Sequence, residues 1–211
     1  MKTSIESLFT DKTTVDKVQQ KLPKLFQVAE LETTRGGKVG MEVGSLRERV
    51  LVALLIHQFG EENVKTDIPI TAAEADVFVF DKAFSIKTLS NSLSGLKLIW
   101  TVDAQSAFKF SQEYEPSCDM IFVHINWSKH GGLYCIPKKV QLEIFNKIGR
   151  NEYIKLPKEG TNPRGVEMQG KALKSLVTHT DTLKIDIHWE KEKIDFDVFE
   201  RWIELWAEDD E

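Results

Sequence analysis

Residues 74–88 read EADVFVFDKAFSIKT, two short runs of β-branched and aromatic residues at 76–80 and 83–87 with Asp81-Lys82 between them. Such residues suit a pleated, half-buried surface, and a two-residue polar break between them predicts a tight hairpin. With that loop Phe80 faces Ala83, and counting back along both strands sets Asp76 opposite Lys87. Side chains alternate, so Asp76, Phe78, Phe80, Ala83, Ser85 and Lys87 share one face, and Val77, Val79, Phe84 and Ile86 make an apolar other face. A carboxylate and an ammonium then stand roughly 5 Å apart between Cβ atoms. The pair reads in two ways. It is either a cross-strand ion pair worth about 0.2–1 kcal/mol, or part of a metal-dependent phosphodiesterase site in which the carboxylate holds Mg²⁺ and the lysine serves the attacking water. A third group is needed to decide.

Upstream, Ser45-Leu46-Arg47-Glu48 opens a predicted helix that runs to about Phe59, with Glu48 on the same face as Leu51, Val52, Leu55 and Phe59. S-x-x-E is also a capping box, in which Glu48 would bond back to the Ser45 N–H. The remainder, VLVALLI, is apolar nearly all round and is expected to lie buried against the sheet. A helix packed there can bring Glu48 toward Asp76. Glu74, two residues before Asp76, is a fallback ligand and otherwise a solvated strand end.

These residues resemble a known family. A glutamate on the first helix, an aspartate opening the second strand and x-x-K closing the third are similar to the PD-(D/E)xK nucleases, specifically type II restriction endonucleases. GMEVGSLRERV at 40–50, with EADVFVF and FSIKT, resembles the ThaI type. The resemblance implies an α/β restriction-endonuclease-like core, a mixed central sheet flanked by helices. It further implies Mg²⁺ held by Asp76, Glu48 and the Ile86 carbonyl, with Lys87 beside the water. The partner it implies is double-stranded DNA, bound by a homodimer in a prokaryotic cytoplasm and cut at a short palindrome, CGCG, to blunt ends. One departure stands out: the usual acidic residue two before the lysine is Ser85, so Glu48 has to supply the second carboxylate. Two other readings stay open, a structure-specific repair or recombination nuclease on the same core and a catalytically inactive DNA-binding module.

The chain of 211 residues, 41% apolar, suits one nuclease domain, with a catalytic core at about 42–127 and DNA-contacting and C-terminal elements at about 128–211. No long apolar run predicts a membrane span and the N-terminus has no signal-peptide pattern. Cys118 and Cys135 lack zinc or disulfide spacing and fit reduced thiols. Net charge is −5, but its distribution is uneven: residues 129–174 carry ten basic against four acidic side chains, and 181–211 twelve acidic against four basic. A basic middle can meet phosphates while an acidic end faces away, although two ordinary solvated faces would look the same.

Residues 5–31 predict one or two helices, broken or restarted at Pro23. TTRGGKVGMEVGS at 33–45 predicts a loop or loose hairpin, with Arg35 and Lys38 as candidates for phosphate or groove contact. Met41 is read either as a wedge entering a base step from the minor groove or as a local gap-filler. Strands are predicted at 64–70, 96–102, 120–127, 133–136 and 183–189, and helices at 103–114, from Pro137 to 148, and at 196–206. SNSLSG at 90–95 offers Asn91 to DNA, and SKHGG at 128–132 is read as a loop containing His130. Residues 156–177 are the candidate base-reading segment through Asn162, Arg164, Gln169 and Lys171, since arginine forked onto guanine is the commonest specific contact. For each of these the alternative is a surface turn leading into a helix.

Overall fold

The computed structural model describes residues 4–68, 74–100, 103–155 and 165–208. In chain order the helices are α1 (Ser7–Thr10), α2 (Lys12–Thr33), α3 (Val43–Phe59), α4 (Ala104–Glu113), α5 (Lys138–Ile148), α6 (Arg150–Tyr153), α7 (Gly170–Val177) and α8 (Glu200–Ala207). The strands are β1 (Thr34–Arg35), β2 (Lys38–Val39), β3 (Val64–Lys65), β4 (Val77–Val79), β5 (Lys82–Ser90), β6 (Gly95–Ile99), β7 (Asp119–Ile125), β8 (Lys129–Ile136), β9 (Ile154–Lys155), β10 (Val166–Gln169) and β11 (Leu183–Trp189). A mixed six-stranded sheet runs β11-β8-β7-β5-β4-β3, in which only β5 and β7 are parallel. The expected mixed α/β architecture is therefore present.

All of β7 is buried, because both of its faces are covered. Ile121, Val123 and Ile125 enter one core with α1, α2 and α3; Met120 and Phe122 enter a second with α5 and α7. A strand covered on both faces reads as a continuous apolar run, which is why DMIFVHI shows little alternation. By contrast β11, LKIDIHW, buries Ile185, Ile187 and Trp189 and exposes the residues between them.

Helix α3 presents Arg47, Leu51, Leu55 and Phe59 inward, one residue per turn, and ends at Gly60, whose φ of 87° suits glycine. It begins at Val43, two residues before Ser45, so Ser45 is no N-cap and the capping-box reading of Glu48 fails. The N-terminal break also differs from expectation. Asp11 caps α2 by accepting the Thr14 N–H at 3.2 Å, and Pro23 lies inside α2.

The hairpin forms with its turn one residue earlier than predicted, which shifts the pairing register by two. Val79 pairs with Lys82, Phe78 with Ala83 and Val77 with Phe84, so the loop is Phe80-Asp81 and Lys87 lies beyond the residue facing Asp76. Both loop residues have positive φ, 49° and 61°, as a primed turn requires. Phe80 is drawn into that turn by tertiary contacts: its ring packs edge-on to Phe59 at 5.2 Å, and its N–H donates to the Asn63 carbonyl at 2.9 Å. A shift by two conserves the pleat, so the predicted faces hold. Strand β8 is longer than expected, and SKHGG is largely strand rather than loop. Glycine is required there because a Cβ on Gly131 would lie 2.1 Å from the His124 carbonyl oxygen and 2.7 Å from Trp189 Nε1. Strand β6 leaves the main sheet and pairs with β10, which pairs with β9, forming a separate three-stranded sheet.

Layers α2 and α3 are joined to the sheet by a buried ion pair. Arg47 Nη2 donates to Glu30 Oε1 at 2.6 Å and Arg47 Nη1 to Ser90 Oγ on β5 at 3.2 Å. Glu30 also accepts from Trp127 Nε1 at 2.8 Å and Lys191 Nζ at 2.9 Å. Arg47→Met is expected to cost about 3 kcal/mol, roughly 6–12 °C in Tm for a chain of this size, because it removes the buried cation paired with the Glu30 carboxylate and leaves only Trp127 and Lys191 to offset its burial. Thermal denaturation of Glu30→Leu/Arg47→Met should show part of that loss restored; a double variant no more stable than Arg47→Met would refute the account.

Candidate active site

The site forms where strand β4 stops short. β4 pairs only with residues 82–84 of β5, so from Ile86 onward one edge of β5 is open while the other stays paired to β7. Asp76 donates its N–H to the Phe84 carbonyl at 2.9 Å, beside Val77, which faces the same residue in the ladder. Two residues opposite one is a bulge-like arrangement that re-aims a side chain. The Asp76 carboxylate turns back along β5, where its Oδ2 accepts the Ile86 N–H at 2.6 Å and the Lys87 ammonium at 3.1 Å. It stands where the next ladder carbonyl would have been.

Around this edge lies a cleft of about 940 Å³, lined by Asp76, Ile86 and Lys87 from the sheet and by Met41, Ser45 and Glu48 from the loop and helix across it. Glu48 faces the cleft from the α3 side and Lys87 from the opposite face of β5, and both line the open edge. Burial first, and then the Asp76 charge, push the Glu48 carboxyl above the usual carboxylate range, against the opposing pull of Lys87 and Arg49. The expected trio is thus brought together. Two carboxylates on one edge, one with raised proton affinity, make a place that gains from a cation. Among the described residues no three His, Cys, Asp or Glu side chains form a ready metal cage.

Ser85 is buried and approaches the Asp119 carbonyl at 3.5 Å, so an acid at this position would sit in the interior instead of the cleft. Glu74 is not a solvated strand end. It accepts the Tyr114 hydroxyl at 2.8 Å and the Ser117 N–H at 2.7 Å, which ties the entry to β4 onto α4 and the following loop. Cys118 also lines the cleft, but burial pushes its thiol up to about 11, so it stays protonated.

The candidate DNA contacts separate. Arg35 and Lys38 lie on the β1–β2 hairpin, exposed, with Arg35 3.6 Å from Glu42. Met41 follows that hairpin at the cleft rim and is 91% exposed, so the gap-filler reading does not describe it. Asn91 turns the chain after β5 at φ 70°, its N–H bonded to the Ile125 carbonyl at 2.8 Å. Lys171 lies on α7 in an ion pair with Glu152 at 2.9 Å, and Gln169 donates to the Asn151 carbonyl at 2.6 Å; neither lines the cleft. Asn162 and Arg164 lie outside the described residues. Lys97 and Trp100 of the small sheet were not singled out from sequence, yet they form a cleft wall, with the ammonium 4.8 Å above the indole ring. The exposed tryptophan closing LKLIW was the available signal.

Fold and relatives together define a nuclease of the restriction-endonuclease class. A solved structure described as "Restriction endonuclease in complex with substrate DNA" is 54% identical over 97% of this chain and 99% of that one, with a TM-score of 0.89. The family model "Restriction endonuclease ThaI" matches residues 8–208, and the chain belongs to that family. It is therefore a site-specific nuclease, of a family that uses divalent metal ions. A search of the curated proteins returns no match.

The raised Glu48 pKa carries a sign for stability. Below the unfolded carboxylate pKa, Glu48 is protonated in both states and contributes nothing; as pH rises through the folded pKa the native state loses a proton it favoured, which is destabilising. Metal-free Glu48→Gln should therefore melt above the wild type at pH 8 and level with it near pH 4. A Glu48→Gln melting point at or below the wild type at pH 8 would show that Glu48 is not strained in this way.

Proposed function

We propose that the chain binds duplex DNA as a homodimer and hydrolyses one phosphodiester in each strand with Mg²⁺, using the β5-edge cleft. The observation that supports it is the convergence of Glu48, Asp76 and Lys87 on an open strand edge in a member of the ThaI family. Asp76 and Glu48 would hold the ion. The Ile86 carbonyl leaves β5 on the same edge as the N–H that meets Asp76, so it is the third oxygen in reach. When bound, the ion supplies charge for the scissile phosphate and lowers the pKa of a water. Lys87, held against Asp76 and largely shielded, would donate a hydrogen bond to the attacking water and orient it.

The hairpin β1–β2 carries Arg35 and Lys38 to the phosphates and delivers Met41 to the duplex. An unpacked thioether at a cleft rim suits insertion into a base step from the minor groove. Asn91, and Asn162, Arg164 and Lys171 from the later segment, complete the proposed DNA contacts. The target carried by family resemblance is CGCG, cut at its centre to blunt ends.

Purified protein incubated with a sequenced plasmid and Mg²⁺ should give discrete fragments whose ends map to one short palindrome. Asp76→Ala and Lys87→Ala should each slow cleavage by at least about 10³-fold, several kcal/mol of transition-state stabilisation, while duplex binding in Ca²⁺ persists. Retained turnover in either would remove the site assignment. Met41→Ala should weaken binding of the specific duplex about 10-fold or more with little change in Tm, as expected for a side chain with no packing to lose; unchanged binding would end the wedge role.

A further inference from the structure

Helix α8 is amphipathic in the wrong sense for a monomer. Phe199, Trp202, Ile203 and Trp206 recur at helical spacing and form one stripe, with Leu205 at its margin. All five are exposed, Trp206 to 83%. The opposite side of the helix carries Glu200, Arg201, Glu204 and Glu208; α8 has no buried residue, and Arg201 Nη2 ties it to Glu32 Oε1 at 3.3 Å while its guanidinium lies 4.4 Å over the Trp202 ring. A surface helix ordinarily buries its apolar stripe and offers its charges to water. Eight residues are also too few for a helix to be stable unsupported. Yet the approach to α8 is fixed: Gln27 and the Glu192 backbone exchange hydrogen bonds of 2.7 and 2.9 Å, and Lys191 reaches Glu30.

We propose that the aromatic stripe of α8 packs against the same stripe of a second copy of this chain and forms a two-fold interface of the homodimer. Large side chains of this kind present 150–250 Å² each when aromatic, so the stripe offers on the order of 600–700 Å², close to the ~800 Å² each partner contributes to a standard interface. A patch on the outer face of one helix is open to self-pairing about a two-fold axis, and such pairing leaves the three glutamates on the water side. The position fits as well. Glu32, where α8 is anchored, is in the last turn of α2, directly before the hairpin that leads to Met41 at the cleft rim. Two clefts that act on one short palindrome must approach each other at their rims. This last argument rests on the reading of the chain as a nuclease of palindromic duplex, so the experiment reads association without DNA or activity.

Sedimentation velocity of the full chain in buffer, over a concentration series reaching about 50 µM, should show a dimer, and Trp202→Glu/Trp206→Glu should raise its dissociation constant at least 100-fold with little change in Tm. In parallel, Ile203→Cys should form an inter-chain disulfide on mild oxidation; Cys118 and Cys135 are buried and do not compete. If the double variant misfolds, the Ile203→Cys crosslink carries the test alone. A wild-type monomer throughout the series, or a dimer that survives the double substitution and gives no crosslink at Ile203→Cys, overturns the proposal and assigns the stripe to another occupant. A protein that cuts no DNA but dimerises through α8 leaves it standing.

Discussion

The ion pair between Glu30 and Arg47 sets the geometry on which the rest depends. Both side chains are almost fully buried, and water is replaced by a specific set of partners from α2, α3, the end of β5, the loop after β7 and the segment after β11. Burial pushes the Glu30 carboxyl up, but the bonds from Lys191 and Trp127 and the charges of Lys191 and Arg47 outweigh it and hold the group below the usual range. Burial likewise pulls the Arg47 guanidinium down. A pair of this kind contributes little net stability compared with apolar packing, since desolvation consumes most of the attraction. What it does supply here is one allowed arrangement. Leucines can slide past one another by a methyl group, whereas a charge left without its partner in the interior is costly, so α3 is fixed in rotation and in height against β5. Glu48 is the next residue along.

That fixed height matters because the cleft exploits an unfinished sheet. Ending β4 at Val77 leaves the Ile86 N–H without a ladder carbonyl, and an unpaired buried donor is not tolerated. The Asp76 carboxylate fills the gap, so the group that completes the sheet is the group offered to a cation. Glu48 is then brought near a second carboxylate in a partly dry setting, an arrangement that raises its proton affinity and stabilises nothing by itself. The cost is local and is borne by packing elsewhere: the α3 stripe from Leu51 to Phe59, the apolar face of the hairpin, and the Phe59–Phe80 ring contact.

Much of this was legible in the sequence because faces are set by periodicity, which survives local error. The hairpin's two faces, the buried side of α3 and β11 follow from spacing, and the central strand from its unbroken apolar run. Register did not, because the turn was chosen by Phe80, a residue with no preference for positive φ, under the pull of Phe59 and Asn63. Serine-x-x-glutamate resembled a cap, but capping depends on where the helix starts, and the glycine-rich approach allowed α3 to begin two residues sooner. Gly131 and Gly132 resembled a loop because sequence shows the missing side chain and not the Trp189 indole and His124 carbonyl that require it to be missing. Glu74 resembled a free carboxylate because its partners, Tyr114 and Ser117, are some forty residues away in the chain.

The chain also separates its two kinds of outward contact by chemistry. At the cleft rim Met41 stands beyond the exposed Arg35 and Lys38, apolar insertion backed by positive charge, the combination that suits a polyanion whose bases are to be parted. On α8 the exposed aromatics are backed by Glu200, Glu204 and Glu208, a combination that repels a polyanion while still driving apolar association. An excess of acid in the last thirty residues, within a chain whose formal charge is only −5, is then no obstacle to a DNA-binding role. It sets the exposed aromatics of α8 apart from the cleft, beside a charge that disfavours a polyanion.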